Sequence, residues 1–264
     1  SCVGQAYSPT QLQAIAEAGG GRMHDAEEPG DIAQIVVAEL NDTLATAVEN
    51  LEISLRLPAG ARADLYGTAP VTETTGGLDV LVGSLLGGAT RRVVIKVRLP
   101  AGAAGTTLDL GLSAHWTVPG HDTRYSCDVA VPPLRFDTAA ACLAQPRDMD
   151  RAKTVLEQWV AHVYYRSMVL NQDGEFRAAQ RFVDGEAKYL ERYAAGIPEL
   201  EQILNGLDGY SRSVSRTYSA ATSKEVMLRA YKTYRGETNH RSRETLDYAS
   251  LSAIEESIRK GEPQ

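Results

Sequence analysis

Leu51-Glu52-Ile53-Ser54-Leu55-Arg56-Leu57 alternates apolar and polar side chains without a break and stops at Pro58-Ala59-Gly60. A period of two puts every second side chain on one face of an extended strand, so this stretch reads as a half-buried β-strand closed by a turn. The pattern continues downstream. Leu78 to Val82 follows the turn at Gly76-Gly77, and Val93, Ile95, Val97 and Leu99 alternate with Lys96 and Arg98 until Pro100-Ala101-Gly102 repeats the first ending. Leu108, Leu110, Leu112 and Ala114 alternate next, and Pro119-Gly120 turns the chain into Tyr125, Cys127, Val129 and Val131. Strands at roughly ten-residue spacing, each with one apolar face, predict an antiparallel β-sandwich over residues 47–137.

Outside these limits the period changes to 3.6. Upstream, Ser8 is placed as N-cap and Pro9 at the first helical position, Leu12, Ile15 and Ala16 share one face, and Gly19-Gly20-Gly21 ends the helix. Arg22-Met23-His24 reads as a short strand before an acidic turn, after which Pro29 and Asp31 open a second helix carrying Ile32, Ile35, Val36 and Leu40. Downstream of Pro132-Pro133, Asp148 opens a long helix with Ala152, Val155, Leu156, Trp159, Val163 and Met168 on its apolar side. It ends near Asn171-Gln172-Asp173-Gly174. A second helix, from Glu175 to Ala195, carries Phe176, Ala179, Phe182, Tyr189 and Leu190 and completes an antiparallel hairpin. Shorter helices are expected at Leu200 to Leu207 and Ser223 to Arg235, and a last amphipathic one on Leu246, Leu251, Ile254 and Ile258. The expected division is 1–46, 47–137 and a helical region over 148–260.

A chain of 264 residues exceeds what one small domain needs, and 43% hydrophobic with 23% charged residues excludes a disordered, collagenous or disulfide-stapled chain. The longest apolar runs, such as Ile35 to Ala38 and Ala139 to Ala144, fall far short of the roughly 20 residues that cross a bilayer, so no membrane span is expected. A net charge of −7 and a pI near 5.3 argue against a protein that coats nucleic acid. Cys2, Cys127 and Cys142 form no C-x-x-C and cannot all pair within the chain, which favours a reducing, cytoplasmic compartment. The start Ser1-Cys2-Val3-Gly4 has no initiator Met, basic segment or apolar segment, so the chain reads as a piece of something longer with no visible targeting signal.

Tyr7-Ser8-Pro9-Thr10-Gln11-Leu12-Gln13-Ala14-Ile15-Ala16-Glu17-Ala18-Gly19-Gly20-Gly21, preceded by Val3-Gly4 and followed by Glu39-Leu40, resembles the last strand-to-helix segments of a bacterial von Willebrand factor A (VWA) domain. The L-R-L-P-x-G ending at Leu55 to Gly60, the segment Gly83 to Arg92, and V-R-L-P-x-G at Val97 to Gly102 are similar to the sandwich that follows this domain in many bacterial VWA proteins, calcium-activated chloride channel homologues among them. Gly174-Glu175-Phe176-Arg177-Ala178-Ala179 resembles the helix start found next. The resemblance implies the C-terminal remnant of an α/β VWA domain, then a sandwich, then helices, and a non-enzymatic role in protein interaction or scaffolding. It also implies a divalent ion, Mg²⁺ by preference for hard oxygen ligands, in the intact domain. That ion is held through D-x-S-x-S, which this chain lacks, so no metal ligand or cofactor is assigned to any residue. A remnant lacking the rest of its parallel sheet is expected to leave Leu12, Ile15, Ile32, Ile35 and Val36 partly exposed, or to cover them by self-association.

Other candidate chemistry is weighed against its plainer reading. Gly19-Gly20-Gly21 follows a helix rather than opening one, which favours a C-cap over a phosphate cradle. His115, His121 and Asp122 flank the Pro119-Gly120 turn and suggest a metal hairpin, but they lack a fourth ligand. Ser113, His115 and Asp122 make the alternative of a hydrolase, without a nucleophile elbow around the serine. Asp25, Glu27, Glu28 and Asp31 suit the start of a helix dipole without any cation. Trp159, Tyr164 and Tyr165 suit core packing better than a ligand groove.

The stretch 210–243 is different: Arg212, Arg216, Lys224, Arg229, Lys232, Arg235, Arg241 and Arg243 outnumber Glu225 and Glu237, with Tyr210, Tyr218, Tyr231 and Tyr234 interleaved. Arg with Tyr is the composition of a protein interface and of a single-strand nucleic-acid surface, and a solvated basic face is the plain alternative. The expected partner-binding residues are Tyr210, Arg212, Arg216, Tyr218, Arg229, Tyr231, Lys232, Tyr234 and Arg235, with an acidic protein preferred over nucleic acid as partner.

Overall fold

The computed structural model describes residues 2–3, 9–19, 21, 23–26 and 29–235. The expected last helix, the N-cap at Ser8, the strand residue Arg22 and the residues Glu27, Glu28, Arg241 and Arg243 lie outside that set. The described residues form two compact units, one built mainly from residues 11–91 and 95–147, the other mainly from 148–235 together with 92–94.

The first unit begins with strand β1 (Cys2–Val3), helix α1 (Pro9–Ala18), strand β2 (Asp25–Ala26) and helix α2 (Pro29–Ala45). Pairing of β1 with β2 is parallel, Val3 opposite Ala26. The strand therefore lies beyond the expected Arg22-Met23-His24, since the pairing carries Ala26 into the core while His24 bonds Glu39 instead, 2.6 Å away. The end of α1 is closed as expected, Gly19 N–H donating to the Ile15 carbonyl and Gly21 N–H to that of Ala16.

No loop separates α2 from β3 (Thr46–Arg56). There follow β4 (Arg62–Tyr66), β5 (Val71–Thr74), β6 (Gly77–Leu86), β7 (Val94–Arg98), β8 (Thr107–Leu108), β9 (Gly111–Val118), β10 (His121–Val129) and β11 (Leu134–Arg135). Five of them make one antiparallel sheet in the order β10-β9-β3-β6-β5. The register sets Ile53 between Val80 and Ala114, and Leu55 between Leu78 and Leu112, so the alternating apolar residues share one face. Leu55, Leu78, Val80 and Val82 are buried there. In place of a second continuous sheet there are two ribbons, β4 with β7 and β8 with β11. Burial does not reach the far edge: every residue of β10 is exposed, including Tyr125, Cys127 and Val129, whose alternation predicts a buried face.

The repeated P-x-G endings acquire a physical reason. Gly60 has φ +80°, a left-handed conformation that glycine adopts without cost, and a Cβ there would stand 3.6 Å from Pro100 Cβ in the other ending. Gly102 needs no special dihedral, but any Cβ on it would overlap the Phe136 ring.

Helix α3 (Ala139–Leu143) is capped by Thr138, whose hydroxyl accepts from Ala141 N–H at 3.2 Å. The second unit holds α4 (Met149–Gln172), α5 (Phe176–Ala194), α6 (Pro198–Glu201), a 3-10 turn (Gln202–Leu204), α7 (Leu207–Ser213) and α8 (Ala220–Arg235). Asp148 caps α4 as expected, accepting from Arg151 N–H at 3.1 Å. Helix α4 is the hub, packed on both α5 and α8. Leu156, Val160, Val163, Tyr164 and Met168 are fully buried, with Val183 and Leu190 from α5 and Val226 and Ala230 from α8. Tyr189, expected on the apolar side of α5, is exposed. No helix among the described residues is long and apolar enough to cross a membrane.

Candidate interaction surface

In α8, Val226, Met227, Ala230, Tyr231 and Tyr234 recur at helical spacing and are all buried. The tyrosines belong to the apolar stripe, while Lys224 and Arg229 are half-exposed. Tyr234 packs with Ala161 and Ala230, its ring 5.9 Å from that of Tyr165 in an edge contact. Tyr210 is buried too. Its hydroxyl lies 2.6 Å from Ser167 Oγ, its ring stands edge-on to Tyr164 at 4.6 Å, and burial holds its phenol well above the ordinary range. Tyr218 is buried, its hydroxyl donating to Ser213. Asn171, at the end of α4, donates to the carbonyls of Val214 at 2.7 Å and Arg216 at 2.6 Å, which ties the chain between α7 and α8 to the hub.

The tyrosines expected as aromatic anchors, Tyr210, Tyr218, Tyr231 and Tyr234, are therefore buried in the structure, where their rings fill a core. Arg212 and Arg216 remain exposed. Arg229 is half-exposed and donates to Glu225 one helical turn away, at 2.6 Å from Nη2 and 3.1 Å from Nε. Lys232 and Arg235 lie on the last turn of α8. The signal that separates the tyrosines from the arginines was present in the sequence, because Tyr231 and Tyr234 continue the period of Val226, Met227 and Ala230.

Exposed apolar surface lies elsewhere. Helix α2 spans 17 residues and buries none of them. Val36, Val37, Leu40 and Leu44 are each more than half exposed, at 56%, 58%, 60% and 79%. An open groove of about 450 Å³ runs along Ala33, Gln34, Val37, Ala38 and Asn41. Helix α1 is turned in the same sense: Gln13 and Glu17 are buried, Glu17 accepting from Gln13 and from Thr68, while Ile15 is 69% exposed. Leu12, Ile32 and Ile35 are half-buried. A second patch lies on β9 and β10, where Trp116 and Tyr125 are directly paired and stack at 6.1 Å.

The remaining candidates resolve as follows. Ser113 and His115 share a face of β9, opposite Asp128 and Ser126 respectively, and no side-chain hydrogen bond joins Ser113, His115 and Asp122. Among the described residues no group of three or more His, Cys, Asp or Glu is arranged to hold a metal ion. Trp159 is buried and donates from Nε1 to Glu186 at 2.6 Å, Tyr164 is buried, and Tyr165 is half-buried; all three serve packing. Asp31 lies in the first turn of α2.

No protein-family model matches this chain, and no curated protein matches it. Among solved structures it is similar to a von Willebrand factor type A protein from Catenulispora acidiphila, with 12% identity and a TM-score of 0.49, over 90% of this chain and 57% of that one. It is also similar to the ArnB paralog VWA2 from Sulfolobus acidocaldarius, with 17% identity and a TM-score of 0.38, over 88% of this chain and 55% of that one. The chain thus spans a little over half the length of each.

Proposed function

We propose that this chain is a non-enzymatic protein-interaction or scaffold module of the bacterial VWA type, and that its contact surface is the apolar face of α1 and α2. The observation that carries the reading is α2, a helix of 17 residues with none buried. A helix with valines and leucines open to water on this scale gains its apolar contact from another surface. The parallel strand–helix–strand–helix order of residues 2–45, together with the motifs quoted for the family, supports the VWA assignment. In this reading the chain has no catalytic centre and holds no divalent ion itself. The exposed Arg212 and Arg216 then serve as a solvated basic face or a secondary contact.

The test is a pair of substitutions, Val37→Glu with Leu40→Glu, in the full chain. Glutamate keeps helix propensity, so far-UV circular dichroism is expected to stay unchanged while binding of a hydrophobic dye and concentration-dependent light scattering both fall. A native chain that binds no dye and remains a clean monomer at high concentration overturns the reading.

A further inference from the structure

Strand β10 is an edge. It pairs with β9 on one side, and among the described residues no strand pairs with its other side. Such an edge presents a row of backbone donors and acceptors, which proteins commonly blunt with lysine, proline or a bulge. His121 to Val129 contains neither lysine nor proline, and its register shift falls before Tyr125, leaving the pairs from Tyr125 to Val129 regular.

The two faces of β10 differ. Ser126 and Asp128 lie opposite His115 and Ser113, and Arg124 donates to Glu52 at 2.8 Å on that same face. Tyr125, Cys127 and Val129 lie on the other face beside Trp116, Ala114 and Leu112. When two copies of one strand pair antiparallel about a two-fold axis normal to the sheet, residues opposite each other share a face. An axis at Tyr125 makes no pair of opposite charges, and one at Arg124 sets that arginine against itself. An axis at Cys127 makes no charge pair. An axis at Ser126 sets Arg124 against Asp128 twice and Tyr125 against Cys127 twice, with no like-charge pair.

We propose that β10 pairs with β10 of a second copy of this chain, centred on Ser126, extending each five-stranded sheet into its partner. The self-complementary charges select a second copy over an arbitrary extended peptide. Pairing covers backbone groups and the exposed Tyr125 and Val129 together. This surface is distinct from the α1 and α2 face, and the Val37→Glu, Leu40→Glu pair leaves it unaltered.

Sedimentation equilibrium tests the charge pattern. The native chain is expected to dimerise, Arg124→Glu and Asp128→Arg each to weaken the dimer about tenfold or more, and the two together to restore it. Equal melting temperatures control for folding. A second measurement reads the register: with Cys2, Cys127 and Cys142 replaced by serine, Ser126→Cys is expected to give a disulfide-linked dimer on mild oxidation, because opposed Cα atoms stand within disulfide reach. A native chain that stays monomeric, a dimer indifferent to both single reversals, a charge swap that fails to restore it, or no crosslink at position 126 each overturns the proposal.

Discussion

Glu157 is buried on α4, with Lys153 Nζ 3.9 Å away. Burial raises its carboxyl from 4.5 to about 6, against the opposing pull of Lys153 and Arg92. Between those values the folded chain binds more protons than the unfolded one, so this group's contribution to stability falls as pH rises through the window and is gone above it. The full swing is about 2 kcal/mol. Glu157→Gln is expected to flatten that part of the profile, and its stability relative to the native chain should improve between pH 5 and 7 in urea titrations; a constant difference across that range refutes the assignment. Sequence reading did not single out Glu157, because a glutamate one turn beyond a lysine looks like an ordinary exposed helix pair. Only the packing around α4 removes it from water. Asn171 was seen merely as part of a helix ending, yet its two carbonyl contacts position the chain after α7.

At the scale of elements, periodicity located most helices and strands because each pattern depends on neighbours a few residues away. The boundaries of α4 came from Asp148 and the Asp173-Gly174 ending, both local signals. What periodicity did not supply was the partner of each apolar face. In α8 the buried side holds Tyr231 and Tyr234, while Arg229 is half-exposed; β10 alternates from Tyr125 to Val129 and is covered on neither face. The consequence is testable within the stretch 210–235. Arg212→Glu with Arg216→Glu is expected to change stability by less than about 0.5 kcal/mol, because both side chains are exposed. Tyr234→Ala, which empties a packed ring site, is expected to cost about 3 kcal/mol. Equal effects in denaturant titrations would return the tyrosines to the surface.

For the molecule as a whole, order is expected to be uneven in a specified way. Native-state hydrogen exchange should find the slowest amides in α4 and in the central strands β3 and β6, and the fastest among the regular elements in α2 and β10, which bury no side chain. Protection of α2 equal to that of α4 in a dilute monomer would contradict the burial pattern. The sequence by itself determined the succession of helix, strand and helix, the turns at Gly60 and Gly120, the Asp148 cap and the glycine ending of α1, since these follow from dihedral preference and hydrogen bonds reaching three to five residues. Tertiary structure alone decided that Gln13 and Glu17 are buried, and that Tyr210 lies in a core while Tyr125 does not. The physical reason is that an amphipathic pattern specifies which side of an element seeks cover, whereas the cover itself comes from residues distant in the chain or from another molecule.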